Sequence, residues 1–209
     1  MYDGPDNNDR ADWADDALTA MIAAAQRRTW PLADAERADA YNEFARAALH
    51  SFAVDTRHYP VTCFDDPTPR DADDRAEAAE IMGDFLGNLR HLLDRYDLTV
   101  DAIHAAPPAP DAPQATADVH LMAMLARACV WQYATAAGFD FDELDERGAY
   151  YHREEVAEAA VYVPAELEPI PASPQLLPTP VGRLVFLRDL YLWTVLRLVR
   201  TLRKLTRTR

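Results

Sequence analysis

Residues 116–137, TADVHLMAMLARACVWQYATAA, constrain the fold more than any other stretch of the chain. Apolar side chains recur on nearly every side: Val119, Leu121, Met122, Met124, Leu125, Cys129, Val130, Trp131 and Tyr133. The run has neither Gly nor Pro inside it and is far longer than a mean strand of about five or six residues. Thr116 or Asp118 can cap its start, and Gly138 can end it. A helix that is hydrophobic nearly all round needs other helices to cover it. The expectation is an all-α bundle built around a central apolar helix.

The flanking sequence supplies the neighbours. After an acidic, extended lead, a helix is expected from Asp12 or Asp15 to about Arg28, with Trp13, Leu18, Met21, Ile22 and Ala25 on one side. Pro31 breaks it. A second helix runs from about Asp34 to Phe52, with Tyr41, Phe44, Ala45, Ala48, Leu49 and Phe52 at helical spacing. Residues 53–70 read as a loop, with short strands open over 53–66. A third helix spans about Ala72 to Tyr96, with Ile81, Phe85, Leu89, Leu92 and Tyr96 in its stripe. One or two helical turns and a proline-rich linker at 106–115 precede the central helix, and one or two short helices follow it. Six prolines between 163 and 180 exclude a helix interior there. The organisation is therefore an acidic helical body (1–162), an extended proline-rich arm (163–182) and a basic amphipathic C-terminal helix (183–209).

Charge divides the chain unevenly. Of 35 acids, 24 are Asp, and the cations are 20 Arg and a single Lys, Lys204. An acidic chain with much Asp and almost no Lys is similar to proteins of extreme halophiles, where hydrated carboxylates keep the molecule soluble in concentrated salt. A GC-rich genome also favours Ala, Asp, Arg and Pro. Residues 1–180 hold 34 acids and 13 arginines, whereas residues 181–209 hold seven arginines, Lys204 and one acid, Asp189. An acidic body and a basic end imply different partners. Cys63 and Cys129 give no disulfide framework. The start, MYDGPDNNDRADW, is not a signal peptide, and no apolar run is long enough to span a membrane. The expected setting is the cytoplasm or a virion.

Two acidic ladders are the first candidate site. Glu36, Asp39 and Glu43 stand at i, i+3, i+7, as do Glu77, Glu80 and Asp84, so each set lines one helix face. Two antiparallel helices bearing such ladders can hold Mg²⁺, which takes carboxylate and water oxygens. With the stretch EIMGDFLGNLRHLLDRYDLTVDAI (80–103), the pattern resembles the all-α nucleotide pyrophosphohydrolases of the MazG-like superfamily. In that family an ExxE helix and an ExxD helix bind Mg²⁺, which positions a nucleoside triphosphate. The resemblance implies Mg²⁺ as cofactor and these six acids as its ligands. The chain departs from the pattern at Ile81, where the family has Glu, and at Glu36-x-x-Asp39 in place of ExxE. The acids at 77, 80 and 84 also point largely away from the Ile81/Phe85/Leu89 stripe, as a solvated face does.

The histidines are His50, His58, His91, His104, His120 and His152. They show no HxxxH, HExxH or Cys/His zinc spacing, so neither a metal site nor a cofactor is expected outside that resemblance. A Gly-rich phosphate loop and a GxSxG elbow are both missing from the sequence, and no catalytic residue is assigned.

The end of the chain, GRLVFLRDLYLWTVLRLVRTLRKLTRTR, reads as one helix from about Arg183 to Leu205. Leu184, Leu187, Tyr191, Val195, Leu198 and Leu202 form one apolar face, while Phe186, Leu190 and Trp193 lie nearly opposite. Its last turns carry Arg197, Arg200, Arg203 and Lys204. A helix this sticky calls for a covering surface. In molar salt, attraction between exposed charges is screened within about 3 Å, whereas apolar contact survives. Other protein subunits are therefore favoured as partners over nucleic acid or a membrane surface.

These features describe a non-enzymatic structural protein, a homo-oligomer that docks into a larger assembly through its C-terminal arm and helix. The opening helix ADDALTAMIAAAQRRTW (14–30) resembles the first helix of head–tail adaptor (connector) proteins of tailed phages and archaeal tailed viruses. Those are small α-helical ring proteins below the portal. The likeness covers seventeen residues. It implies a virion subunit in a ring, and it transfers no functional residue.

Overall fold

Asp6 starts the first helix. Its carboxylate accepts the backbone N–H groups of Asn8 and Asp9 at 2.7 and 2.9 Å, and its own N–H donates to the Asp9 carboxylate at 3.0 Å. This capping box satisfies the first orphan donors of the helix. It corrects the expected extended lead: the chain is helical from Asn7. The computed structural model describes residues 5–30, 32–57 and 61–161. They form six helices: α1 (Asn7–Gln26), α2 (Arg37–Arg57), α3 (Ala72–Arg95), α4 (Val100–Ala105), α5 (Gln114–Ala136) and α6 (Phe141–Val161). The described residues contain no strand. The protein is all-α. The expected arm at 163–182 and the helix at 183–209, with all the partner-binding residues named on it, lie outside the described residues.

Other boundaries follow from local chemistry. Asp71 caps α3 through the N–H groups of Asp73 and Asp74, and Thr99 caps α4 through Ala102. At α5 neither expected cap is used. The helix starts at Gln114, directly after Pro113, whose fixed backbone needs no donor there. Thr116 and Asp118 fall inside the first turns, where Asp118 accepts from Gln114 at 2.7 Å. Gly138 does end the helix, at φ +74°, with Phe139 N–H reaching back to the Ala134 carbonyl at 2.8 Å. Arg75, from the start of α3, donates to the freed carbonyls of Ala137 and Gly138 and lies over the Phe139 ring. After Gly138 the chain makes one long helix, α6, where short ones were expected. Its charged residues blur the apolar period, but Leu144 and Gly148 anchor it in the core.

Two helix pairs make the most extensive contacts, α1–α2 and α3–α6. The first is dry. Ala14, Ala17, Ala24 and Ala25 on α1 and Ala40, Ala45, Ala48 and Ala53 on α2 are buried, and Phe44 and Leu49 fill the space beside them. The second is drawn together by glycine: a Cβ on Gly148 would lie 2.8 Å from both the Gly83 oxygen and the Gly87 nitrogen. Only a residue without a side chain permits that approach. Helix α5 packs mainly on α2, burying Val119, Met122, Leu125, Cys129, Val130 and Tyr133. Its outer side is open at Trp131, which is 39% exposed. Helix α3 shares the central role, because it touches α1, α2, α5 and α6 and is buried nearly all round from Ile81 to Leu93.

Candidate functional site

The middle of α3 brings polar side chains to two adjoining places. The first is a cleft of about 330 Å³, lined by Pro5, Arg10, Trp13, Phe52, Thr56, Glu80, Asp84, Asn88, Tyr151 and Glu155. Helices α1, α2, α3 and α6 all contribute. Arg57, at the last turn of α2, donates to Glu80 at 3.1 Å and to Asp84 at 3.0 Å. Arg10 meets Glu155 at 2.9 Å. Asn88 is buried. Its amide donates to the Asp84 carbonyl at 2.8 Å, while its side-chain oxygen has no hydrogen-bond partner. Burial pushes the Asp84 carboxyl up to about 6, with Glu80 and Glu155 adding to the rise and Arg57 opposing it. A carboxyl that titrates near neutrality can give or take a proton at working pH, and a concave site with convergent polar groups is the usual form of a small-molecule pocket.

The second place is a clasp between α3 and α6. His91 on α3 meets Glu155 on α6 at 2.9 Å, and His152 on α6 meets Asp94 on α3 at 2.6 Å. Each histidine thus pairs with the acid three residues along the other helix. The two imidazole centroids are 4.6 Å apart. Burial holds His152 below its ordinary value although Asp94 pulls it up. For Glu155, burial raises the carboxyl, but hydrogen bonds from His91 and Arg10 outweigh it and leave the group below its ordinary value. About two turns before His152, Asp145 on α6 accepts from Arg127 of α5 at 2.6 and 2.8 Å and from Arg90 of α3 at 2.7 Å. Burial opposes the charge of Asp145, yet the two guanidiniums hold its carboxyl at about 2. Arg127 also donates to His104 at 3.0 Å, which ties α4 into the same network.

The acidic ladders separate. Glu80 and Asp84 line the cleft, whereas Glu77 lies beside Cys63. On α2, Glu43 pairs with Arg28 beyond the end of α1, and Asp39 is exposed. Glu36 precedes α2 and accepts from the Ala33 N–H at 3.2 Å. Arg57, which faces Glu80 and Asp84, is fourteen residues from Glu43, roughly 20 Å along a helix. The six acids do not converge on one point among the described residues. The set that does converge is His91, Asp94 and His152, with one donor atom of each within 4.8 Å of the others. The sequence shows no recognised metal-ligand spacing among its histidines, and the fold brings two of them together with Asp94. The signal was present as H-x-x-D at 91–94 and H-x-x-E at 152–155, but the two come together only when α3 and α6 pack against each other.

Both cysteines are buried, and burial pushes the Cys63 thiol up to about 12 and the Cys129 thiol higher still. No described helix is long and apolar enough to cross a membrane. Comparison with protein-family models, with curated proteins and with solved structures gives no match.

Proposed function

We propose that the protein is a structural assembly subunit. An acidic helical body joins other protein subunits through the basic, apolar segment 183–209, as in the head–tail connector of a halophile's virus. The observation that carries this reading is how the body uses its arginines. Arg10, Arg28, Arg37, Arg57, Arg70, Arg90, Arg95, Arg127 and Arg147 are in ion pairs within the body. Arg46 and Arg75 donate to backbone carbonyls. Eleven of the thirteen arginines in residues 1–180 therefore bind acids or carbonyls of the body itself. The surplus of positive charge sits in 181–209, beside the apolar pattern of Leu184, Leu187, Tyr191 and Val195. The reading is tested by Leu187→Asp with Tyr191→Asp, measured by native mass and sedimentation. Loss of the assembled species with an unchanged helical spectrum supports it. An unchanged assembly removes the segment from the account.

A second reading, a Mg²⁺-dependent nucleotide pyrophosphohydrolase, keeps one supporting observation: Glu80 and Asp84 share a cleft with Arg10 and a buried, unpartnered amide oxygen on Asn88. It requires Mg²⁺-dependent hydrolysis of nucleoside triphosphates that disappears in Asp84→Ala.

A further inference from the structure

We propose that His91, Asp94 and His152 form a binding site for a first-row divalent transition metal, with Zn²⁺ the representative ion and Glu155 holding His91 in place. Three features of the clasp lead there. The donor atoms already gather: one from each residue lies within 4.8 Å of the other two, and His152 and Asp94 are 2.6 Å apart. Two ligands on one tetrahedral metal, each bonded at about 2.1 Å, stand about 3.4 Å apart. Side-chain adjustments on the order of 1 Å therefore close the site without moving either helix.

The backbone that presents these groups is rigid. His91 and Asp94 are one turn apart on α3, and His152 sits opposite on α6. The two helices are locked by the contact of Gly148 with Gly83 and Gly87. A site on packed helices needs little reorganisation to bind.

The donor set also selects the ion. Two imidazoles and one carboxylate suit Zn²⁺, Co²⁺ or Ni²⁺, whereas Mg²⁺ and Ca²⁺ take oxygen shells. Three protein ligands leave one position for water. Asp94 is half exposed, and the His91 side chain is 1% exposed, so the site opens to solvent on the Asp94 side. Glu155 completes the outer arrangement. Its carboxylate bonds His91 at 2.9 Å and is itself held by Arg10 at 2.9 Å. A carboxylate behind a ligating histidine fixes the ring orientation and strengthens the ligand. Without metal, each imidazole hydrogen-bonds a carboxylate of the other helix. A divalent cation held by His91, Asp94 and His152 would bridge α3 to α6.

The test uses tag-free, full-length protein stripped of metal by chelation and titrated with Zn²⁺, followed by calorimetry and thermal melting. One Zn²⁺ per chain is expected. At a hundredfold excess over Kd the melting temperature should rise by about 5–10 °C, and Mg²⁺ should produce no such rise. Co²⁺ should give the visible absorption of a site with nitrogen ligands. Asp94→Asn and His152→Gln should weaken Zn²⁺ binding at least about a hundredfold, and Glu155→Gln by about 10–100-fold. Asp94 is exposed, so its variant keeps the fold and decides the matter if His152→Gln does not. Failure of the folded wild-type chain to bind stoichiometric Zn²⁺ overturns the proposal. So does binding that Asp94→Asn leaves unchanged, or an equal response to Mg²⁺.

Discussion

The α1–α2 pair and the α3–α6 pair make equally extensive contacts by different chemistry. In the first, the buried residues of α2 are alanines with Tyr41, Phe44, Leu49 and Phe52, and none of them is an acid, an arginine or a histidine. In the second, glycines bring the backbones together, and the margins are clasped by His91–Glu155, His152–Asp94 and the Arg90–Asp145–Arg127 bridge. The dry pair is held by burial, worth about 1.5–3 kcal/mol for each large side chain. The polar pair adds little net stability per ion pair, since desolvation offsets attraction. It adds direction and chemistry instead, because its groups must meet specific partners and their protonation responds to the surroundings. The cleft and the His91–Asp94–His152 cluster both involve α3 and α6.

The contrast can be broken at several points. Phe44→Ala empties the dry pair. It should cost about 3–5 kcal/mol in denaturant unfolding and leave the cleft's titration unchanged. Asp145→Ala strands Arg127, whose side chain is 7% exposed, together with Arg90, and should cost about 3 kcal/mol. Because the Asp145 carboxyl lies at about 2, below its ordinary value of 3.8, its stabilisation is complete above about pH 4 and fades as pH falls toward 2. The variant should lose that acid-limb dependence. Gly148→Ala forces a methyl against backbone atoms and should cost about 2 kcal/mol. Gly83→Ala meets only the flexible Arg147 side chain and should cost less than about 1 kcal/mol. Asp84→Asn acts in the opposite direction. The Asp84 carboxyl is raised to about 6, so the wild-type chain loses stability as pH climbs from about 4 to 6. The variant should be more stable by about 1 kcal/mol at pH 7, with a flatter profile across that window in pH-dependent melts.

The same contrast explains what could be read from the sequence. The stripes of α2 and α3, and the core role of α5, were legible because apolar residues at helical spacing announce a buried face. Gly138 was legible as a stop because its positive φ suits glycine. The start of α1 was missed because Asp6 and Asp9 read as one more acidic stretch, when they are a cap. Helix α6 was broken up on paper because Arg147, His152 and Glu155 interrupt its apolar period, although they are the residues that face α3. Polar side chains in a helix look like a solvated face until a partner helix is placed against them. For the same reason the ladders at 36–43 and 77–84 looked like one site, while the fold sends them to different ion pairs.

The central claim is a division of labour. In the proposed function, folding belongs to the six-helix body and assembly to the basic segment that follows it in sequence. Light scattering in molar KCl on the full chain and on residues 1–180 tests this most directly. The account requires a large, defined assembly from the full chain and a folded, helical monomer from 1–180. If both give the same small species, the segment is not an assembly element and the division fails.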